Sequence, residues 1–201
     1  MTKDTFFIVI DGIDGAGTST HSQLLAGFLE HKLKLKVHLT HEPSKSEIGV
    51  LLRKYLKNKE IPPSTDALLF AADRDLHYHN EIKRKLDEGY TVISDRYIES
   101  SIIYQSIQSE EISIEWIKQL NKFVGEPDLT IILDIDPKVA LARKNEEELE
   151  KFEENLFLNK VRELYITRAK QYGYELISSD DIIEVVQDKI QKIFLDKLMQ
   201  S

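Results

Sequence analysis

Three glycines stand in the run Gly12-Ile13-Asp14-Gly15-Ala16-Gly17-Thr18-Ser19, followed by Thr20. Between a strand and a helix, this spacing suits a loop that binds phosphate, whose pattern is G-x-x-x-x-G-K-[S/T]. Glycines let the backbone wrap close around phosphates, and the helix start aims free N–H groups at them. The candidates for holding a triphosphate are therefore Gly12, Ile13, Asp14, Gly15, Ala16, Gly17, Thr18, Ser19 and Thr20. The Ser19 hydroxyl is the candidate ligand for Mg²⁺. Position 18 departs from the pattern, because threonine stands where lysine is expected. Losing a comparable electrostatic contact costs about 3–4 kcal/mol of transition-state stabilisation. Three readings follow: a cation arrives from outside the loop, the enzyme is slow, or the chain binds nucleotides without turning them over. The competing structural reading is an ordinary glycine-rich strand–helix turn.

Asp95-Arg96-Tyr97 closes a second apolar run, Thr91–Ser94. A carboxylate at a strand end beside a phosphate loop is where Mg²⁺ and its waters are held, so Asp95 is the second metal candidate. Arg96 offers a planar, bidentate donor to phosphate. A surface Asp–Arg pair is the alternative.

These residues need a scaffold of strands and helices in alternation. Phe6–Ile10 is a continuous apolar run and reads as a buried central strand. A helix follows from near Ser19, with Leu24, Leu25, Phe28 and Leu29 on one face. Further strands are expected at Leu35–Thr40, Thr91–Ser94, Leu129–Leu133 and Glu175–Ile177. A helix capped by Ser64 or Thr65 is expected from Asp66 to Glu88, stopped by Gly89. Others are expected at 98–109 and 114–123, after Pro137, up to Tyr172 and from Asp181. This alternation predicts an α/β fold, a parallel sheet of about five strands with helices on both faces. One domain, 1–201, is expected, with a mobile charged insert.

The 201 residues suffice to bury a core, and the absence of cysteine excludes disulfides and Cys-ligated zinc. A formal net charge of −8 argues against a nucleic-acid or anionic-membrane surface. No apolar run is long enough to span a bilayer, no secretory signal pattern opens the chain, and a cytoplasmic location is the default. His21, His31, His38, His41 and His79 show no metal spacing and read as surface or satisfied residues. Trp116 reads as core.

Several segments, in order, resemble the thymidylate kinases: Phe6 to Gly17; Glu42-Pro43 with Ile48-Gly49 and Leu52-Arg53; Leu68 to Arg74 with His77; Asp95-Arg96-Tyr97 with Ser100 and Tyr104-Gln105; Pro127 to Asp134; and Val161-Arg162 with Tyr165. The resemblance spans nearly the whole chain. It implies a P-loop NTPase-type nucleoside-monophosphate kinase that moves the γ-phosphate of ATP onto dTMP with Mg²⁺. A homodimer is implied as well.

The resemblance also implies residue roles. Asp14 matches a carboxylate near the acceptor sugar. Phe70 matches the aromatic that stacks on thymine, and Arg74, one turn later, the arginine that hydrogen-bonds its carbonyl. Without the resemblance, Phe70 is a core phenylalanine and Arg74 a solvated arginine beside Asp73 or Asp75. Ser101 and Gln105 match positions that read the base edge. Tyr104 matches the ring beside the deoxyribose, with a core tyrosine as its alternative. Arg53 and Arg96 match the groups that hold the acceptor phosphate. The segment from about 143 to 154 matches the lid over ATP, although its glutamates fit a solvated helix equally well. Arg143, Lys144 and Lys151 are its candidates for the missing cation. Asp14, Arg96, Arg143 and Lys144 form the expected catalytic set. The alternatives are a catalytically weakened nucleotide-binding regulator and a kinase for another nucleoside monophosphate.

Overall fold

The computed structural model describes residues 5–56, 61–143 and 155–200. Five parallel strands form one sheet in the order β2-β3-β1-β4-β5. They are β1 (Phe7–Gly12), β2 (Val37–His41), β3 (Thr91–Asp95), β4 (Leu129–Asp134) and β5 (Glu175–Ser178). β1 is central and buried throughout, which is why its sequence is continuously apolar rather than alternating. Its side chains serve two layers. Ile8 and Ile10 join Leu25, Ile190 and Phe194 in the main core, whereas Phe7 and Val9 face Ile82, Val92 and Tyr97. Edge-to-face ring pairs mark both layers, Phe6–Phe194 at 5.5 Å and Phe7–Tyr97 at 5.0 Å.

The helices that frame the carboxyl ends of the strands are α1 (Thr18–His31), α2 (Glu47–Leu56), α3 (Pro63–His77), α4 (Lys83–Asp87) and α5 (Ile98–Gln108). Next come α6 (Ile114–Leu120), α7 (Pro137–Ala142), α8 (Asn155–Tyr172) and α9 (Ile183–Met199). The α/β expectation is met, with some local corrections. Leu24, expected on the buried face of α1, is 41% exposed. The helix expected to begin near Asp66 enters at Pro63, because proline suits a first turn whose N–H has no intrahelical acceptor. It does not run unbroken to Glu88, for a π turn, Tyr78–Ile82, separates α3 from α4. Trp116 is half-buried at the margin of the Ile102–Ile112–Ile117 cluster. Most of the expected lid, with Lys144 and Lys151, lies outside the described residues.

Parallel register sets the geometry of the site. Ile10 pairs with Asp95 across β1–β3, and Gly12 with Leu133 across β1–β4. Gly12, Asp95 and Asp134 therefore end their strands along one edge of the sheet. In open α/β sheets that edge is where ligands bind.

Candidate functional site

The turn after β1 folds back against α7 as a tight loop. Gly15 sits at φ 86, and a Cβ there would lie 2.5 Å from the carbonyl oxygen of Ala140, so no larger residue fits. Gly17 is the left-handed N-cap of α1 and adds no side-chain cap. The first-turn N–H groups of α1 thus point out of the helix with no intrahelical acceptor. A cavity of about 830 Å³ opens above them, lined by Asp14 to His21, Arg96, Arg143 and the start of α9.

Two carboxylates anchor this edge. Asp11 is fully buried at the end of β1. Its Oδ1 accepts from Gly12 N at 2.9 Å, Ser100 Oγ at 2.7 Å and Tyr165 Oη at 2.7 Å. Its Oδ2 accepts from Ser100 N at 3.1 Å and Tyr97 N at 3.4 Å. Asp11 thereby caps α5 from a different element and ties it to the end of β1. Burial raises its pKa, and Arg96 and these hydrogen bonds only partly offset that. Asp95, at the end of β3, accepts a hydrogen bond from Ser19 through Oδ2. Among the described residues its buried Oδ1 has no hydrogen-bond partner. An ionisable oxygen held beside a hydroxyl and left unpaired suits a hydrated cation. Among the described residues no cluster of three or more His, Asp or Glu forms a protein-only metal site. Ser19 and Asp95 are the residues able to hold a hydrated cation.

Arg96 adopts φ 71, a left-handed conformation that costs a non-glycine residue about 1–3 kcal/mol. Four contacts hold it there. Nη1 donates to Gly12 O at 2.9 Å and Ser100 Oγ at 3.1 Å and lies 3.5 Å from Asp11, while Nη2 donates to Asp14. Burial works most strongly against its charge, but Asp14, Tyr104, Tyr165 and Asp11 together outweigh it, and the guanidinium pKa rises further above its ordinary value. Arg143 is exposed at the cavity mouth, with Nη1 3.4 Å from Gly15 O and Nη2 3.1 Å from Ser179 O. The expected phosphate-loop residues, Asp95 and Arg143 therefore meet at one site; Lys144 lies outside the described residues.

A second cavity, about 220 Å³, adjoins the first and is lined by Arg53, Phe70, Arg74, Arg96, Ser101, Tyr104 and Gln105, among others. It brings together every residue expected at the acceptor. Phe70 is half-buried against the core. Arg74 is not the solvated residue its acidic neighbours suggested, since it is 1% exposed. Its Nε donates to Glu42 at 2.7 Å, Nη1 to Asn121 at 2.8 Å, and Nη2 to Ser101 Oγ at 2.9 Å and Tyr97 O at 3.2 Å. Asp73 points away and binds Ser44 N at 2.7 Å, Ser44 Oγ at 2.5 Å and Ser46 Oγ at 2.6 Å. It thereby holds the loop that carries Pro43. Arg53 donates to the carbonyls of Ser44, at 2.9 Å, and Pro43. Gln105 is buried, and among the described residues its Oε1 has no hydrogen-bond partner. Tyr104 accepts from Asp14 N at 3.3 Å, and burial raises its phenol pKa. A third groove, near the buried Glu99–Arg168 pair, carries none of the expected residues.

Sequence reasoning assigned no role to Asp11, Glu42, Asp73 or Asn121. An aspartate closing a buried strand and a glutamate before a proline were their only local signals.

The two cavities share Asp14 and Arg96. A family model described as Thymidylate kinase matches residues 10–190. The chain is 49% identical over 175 residues to a probable thymidylate kinase of Pyrobaculum aerophilum, covering 86% of this chain and 88% of that one. It is 42% identical over 195 residues to a probable thymidylate kinase of Caldivirga maquilingensis, covering 95% and 94%. Against a probable thymidylate kinase of Thermococcus gammatolerans it is 37% identical over 196 residues, covering 92% and 93%.

Proposed function

The chain belongs to the thymidylate kinase family, and from that premise we propose how its two cavities phosphorylate dTMP at the expense of ATP. It is a nucleoside-monophosphate kinase, a phosphotransferase. The observation that carries the reading is the pair of cavities joined at Asp14 and Arg96. One cavity is a phosphate loop, the other a small aromatic-and-arginine pocket, and transfer happens where they meet.

The loop from Gly12 to Thr20 receives the ATP phosphates on its backbone N–H groups. Bound Mg²⁺, near Ser19 and Asp95, would neutralise charge on the β- and γ-phosphates. Arg143 supplies the positive charge that position 18 lacks. The thymine ring lies against Phe70, Arg74 donates to its carbonyl, and the unpaired Gln105 Oε1 and Ser101 read its edge. Tyr104 borders the deoxyribose. Arg53 and Arg96 hold the acceptor phosphate facing the donor, with Asp14 fixing Arg96. Phosphoryl transfer asks mainly for this alignment and charge neutralisation.

The proposed unit is a single kinase domain whose lid spans about 143–154. A homodimer is the proposed assembly, supported by exposed apolar side chains on α2 and α3: Val50, Leu51, Leu68 and Leu76. The proposed location is the cytoplasm. Among the described residues no helix is long and apolar enough to cross a membrane. A net charge of −8 leaves nucleic acid outside the proposed partners.

The test is steady-state ADP formation with dTMP, dUMP, UMP, CMP and thymidine as acceptors. Multiple turnovers that require dTMP, with dTMP preferred, are expected. Binding of both nucleotides without turnover would leave a regulator, and preference for UMP or CMP would sink the Phe70–Arg74 assignment.

A further inference from the structure

Arg96 stands at φ 71, a conformation glycine adopts freely and arginine does not, in the place where the two cavities meet. Gly12 O, Ser100 and Asp14 hold the guanidinium end of the side chain. The backbone end is held by a separate set of bonds. Arg96 N donates to Ile10 O at 2.9 Å and so carries the β1–β3 ladder one residue past Asp95. Arg96 O accepts from Ser94 Oγ at 2.7 Å, a side chain two residues back. On either side of it, Asp95 O accepts from Glu42 N at 3.0 Å, and Tyr97 N lies 3.4 Å from Asp11 Oδ2.

Ser94 is fully buried on β3, in register with Val9 of β1 and Thr40 of β2. A carbonyl oxygen only accepts, so the Ser94 hydroxyl donates its one proton to Arg96 O. Among the described residues this hydroxyl has no second hydrogen-bond partner, so its removal acts on the turn alone. A side-chain bond of this kind offers the backbone an alternative to its ordinary regions and stabilises the turn it closes. Asp95, the residue between them, is still strand, and its Oδ2 contact with Ser19 does not involve the Ser94 hydroxyl.

We propose that Ser94 is a positioning residue for phosphoryl transfer: its buried hydroxyl holds the Arg96 carbonyl, and with it the left-handed turn that aims the guanidinium into the junction of the two cavities. Without the hydroxyl, residue 96 relaxes to negative φ, its Cα–Cβ bond turns, and the guanidinium leaves Gly12 O, Asp14 and Ser100. This inference rests on the reading of Arg96 as the holder of the acceptor phosphate.

The experiment compares steady-state kinetics of the full chain with those of Ser94→Ala, and of Ser94→Cys as a second variant that keeps a weak donor. In Ser94→Ala, kcat/KM for dTMP should fall about a hundredfold, the cost of a misplaced group, with a smaller fall in Ser94→Cys. The Mg²⁺ concentration for half-maximal activity should stay level, whereas a general loosening of the strand end would move it through Asp95. Arg96→Gly keeps the turn without steric cost and loses the guanidinium, so Ser94→Ala should add nothing to the residual turnover in that background. A crystal structure of Ser94→Ala should show residue 96 at negative φ. An undiminished kcat/KM in Ser94→Ala, or residue 96 still at positive φ there, would overturn the proposal. So would a Mg²⁺ requirement that shifts along with kcat/KM, or a full further loss in the Arg96→Gly background. Should Arg96→Gly turn over dTMP as the native chain does, the reading of Arg96 itself fails. Should Arg96→Gly be impaired while Ser94→Ala behaves as native, only the role of Ser94 fails.

Discussion

Arg143 Nη1 lies 3.4 Å from the carbonyl oxygen of Gly15, so a guanidinium stands beside the glycine-rich loop that carries threonine at position 18. Its other anchor is Ser179 O at 3.1 Å, beyond the end of β5. Both anchors are carbonyls, so neither neutralises its charge. Removing it in Arg143→Ala should lower kcat by about a hundredfold to a thousandfold. Thr18 lines the same cavity, so Thr18→Lys in that variant should restore part of the loss. Steady-state kcat at saturating ATP and dTMP checks both, and an unchanged rate in Arg143→Ala would assign the missing charge elsewhere.

Asp95 is the next lever, because its buried Oδ1 has no hydrogen-bond partner among the described residues while Oδ2 is occupied by Ser19. Asp95→Asn keeps the shape and removes the charge that would hold the hydrated cation. The Mg²⁺ concentration needed for half-maximal activity should rise about tenfold or more. A magnesium titration of the two proteins decides it, and coincident curves would remove Asp95 from the site.

Arg74→Ala should raise KM for dTMP well above any change in KM for ATP. Four donated hydrogen bonds fix this guanidinium in the small cavity, while the glycine-rich loop expected to hold ATP forms from other elements. The variant also strands Glu42, and breaking a buried pair costs about 3–5 kcal/mol of stability. Gln105→Leu, which removes an unpaired acceptor, should show the same KM split without that loss. Equal effects on both substrates would contradict a base-reading role.

The sheet was legible because its central strands are buried on both faces, and a run such as Phe6–Ile10 has few other homes. The tight turn between β1 and α1 was legible because its glycines are local in sequence. What stayed hidden was non-local. Glu42 reaches Arg74 across 32 residues, and no periodicity links them. Arg74 looked solvated between Asp73 and Asp75 because helical spacing does not reveal that Asp73 turns to Ser44. Asp11 read as the end of a strand, yet it caps α5, whose first residues lie more than 80 positions away. The π turn at Tyr78–Ile82 also escaped, since it leaves the apolar pattern of the helix intact.

Glu81 predicts a pH effect on stability. Burial alone would raise its pKa, but hydrogen bonds from His38 and Thr40 and the charge on His77 together bring it below the ordinary 4.5. A depressed carboxyl stabilises the fold fully above its unfolded value and loses that contribution as pH falls through the folded one. Urea unfolding should therefore weaken below about pH 4.5 in the native protein. Glu81→Gln should be less stable at neutral pH, and this variant should lose that part of the acid decline. Parallel curves for the two proteins at all pH values would refute it.

Gly49 couples the fold to the acceptor pocket. It lies in the first turn of α2 against the Pro43–Ser46 loop, and a Cβ there would stand 2.1 Å from Ser44 O and 2.9 Å from Ser44 N. Both are backbone atoms, so the loop itself must move in Gly49→Ala. Ser44 O is also the acceptor for Arg53 Nη1 at 2.9 Å. Displacing it therefore releases an arginine expected to hold the acceptor phosphate. Overpacking of this kind costs about 1–3 kcal/mol, and urea titration should record a loss of that size. KM for dTMP should rise while KM for ATP holds, because the glycine-rich loop expected to hold ATP rests on β1 and α7 rather than on this turn. Stability lost without any change in dTMP KM would separate the loop from the pocket and leave Gly49 a packing residue alone.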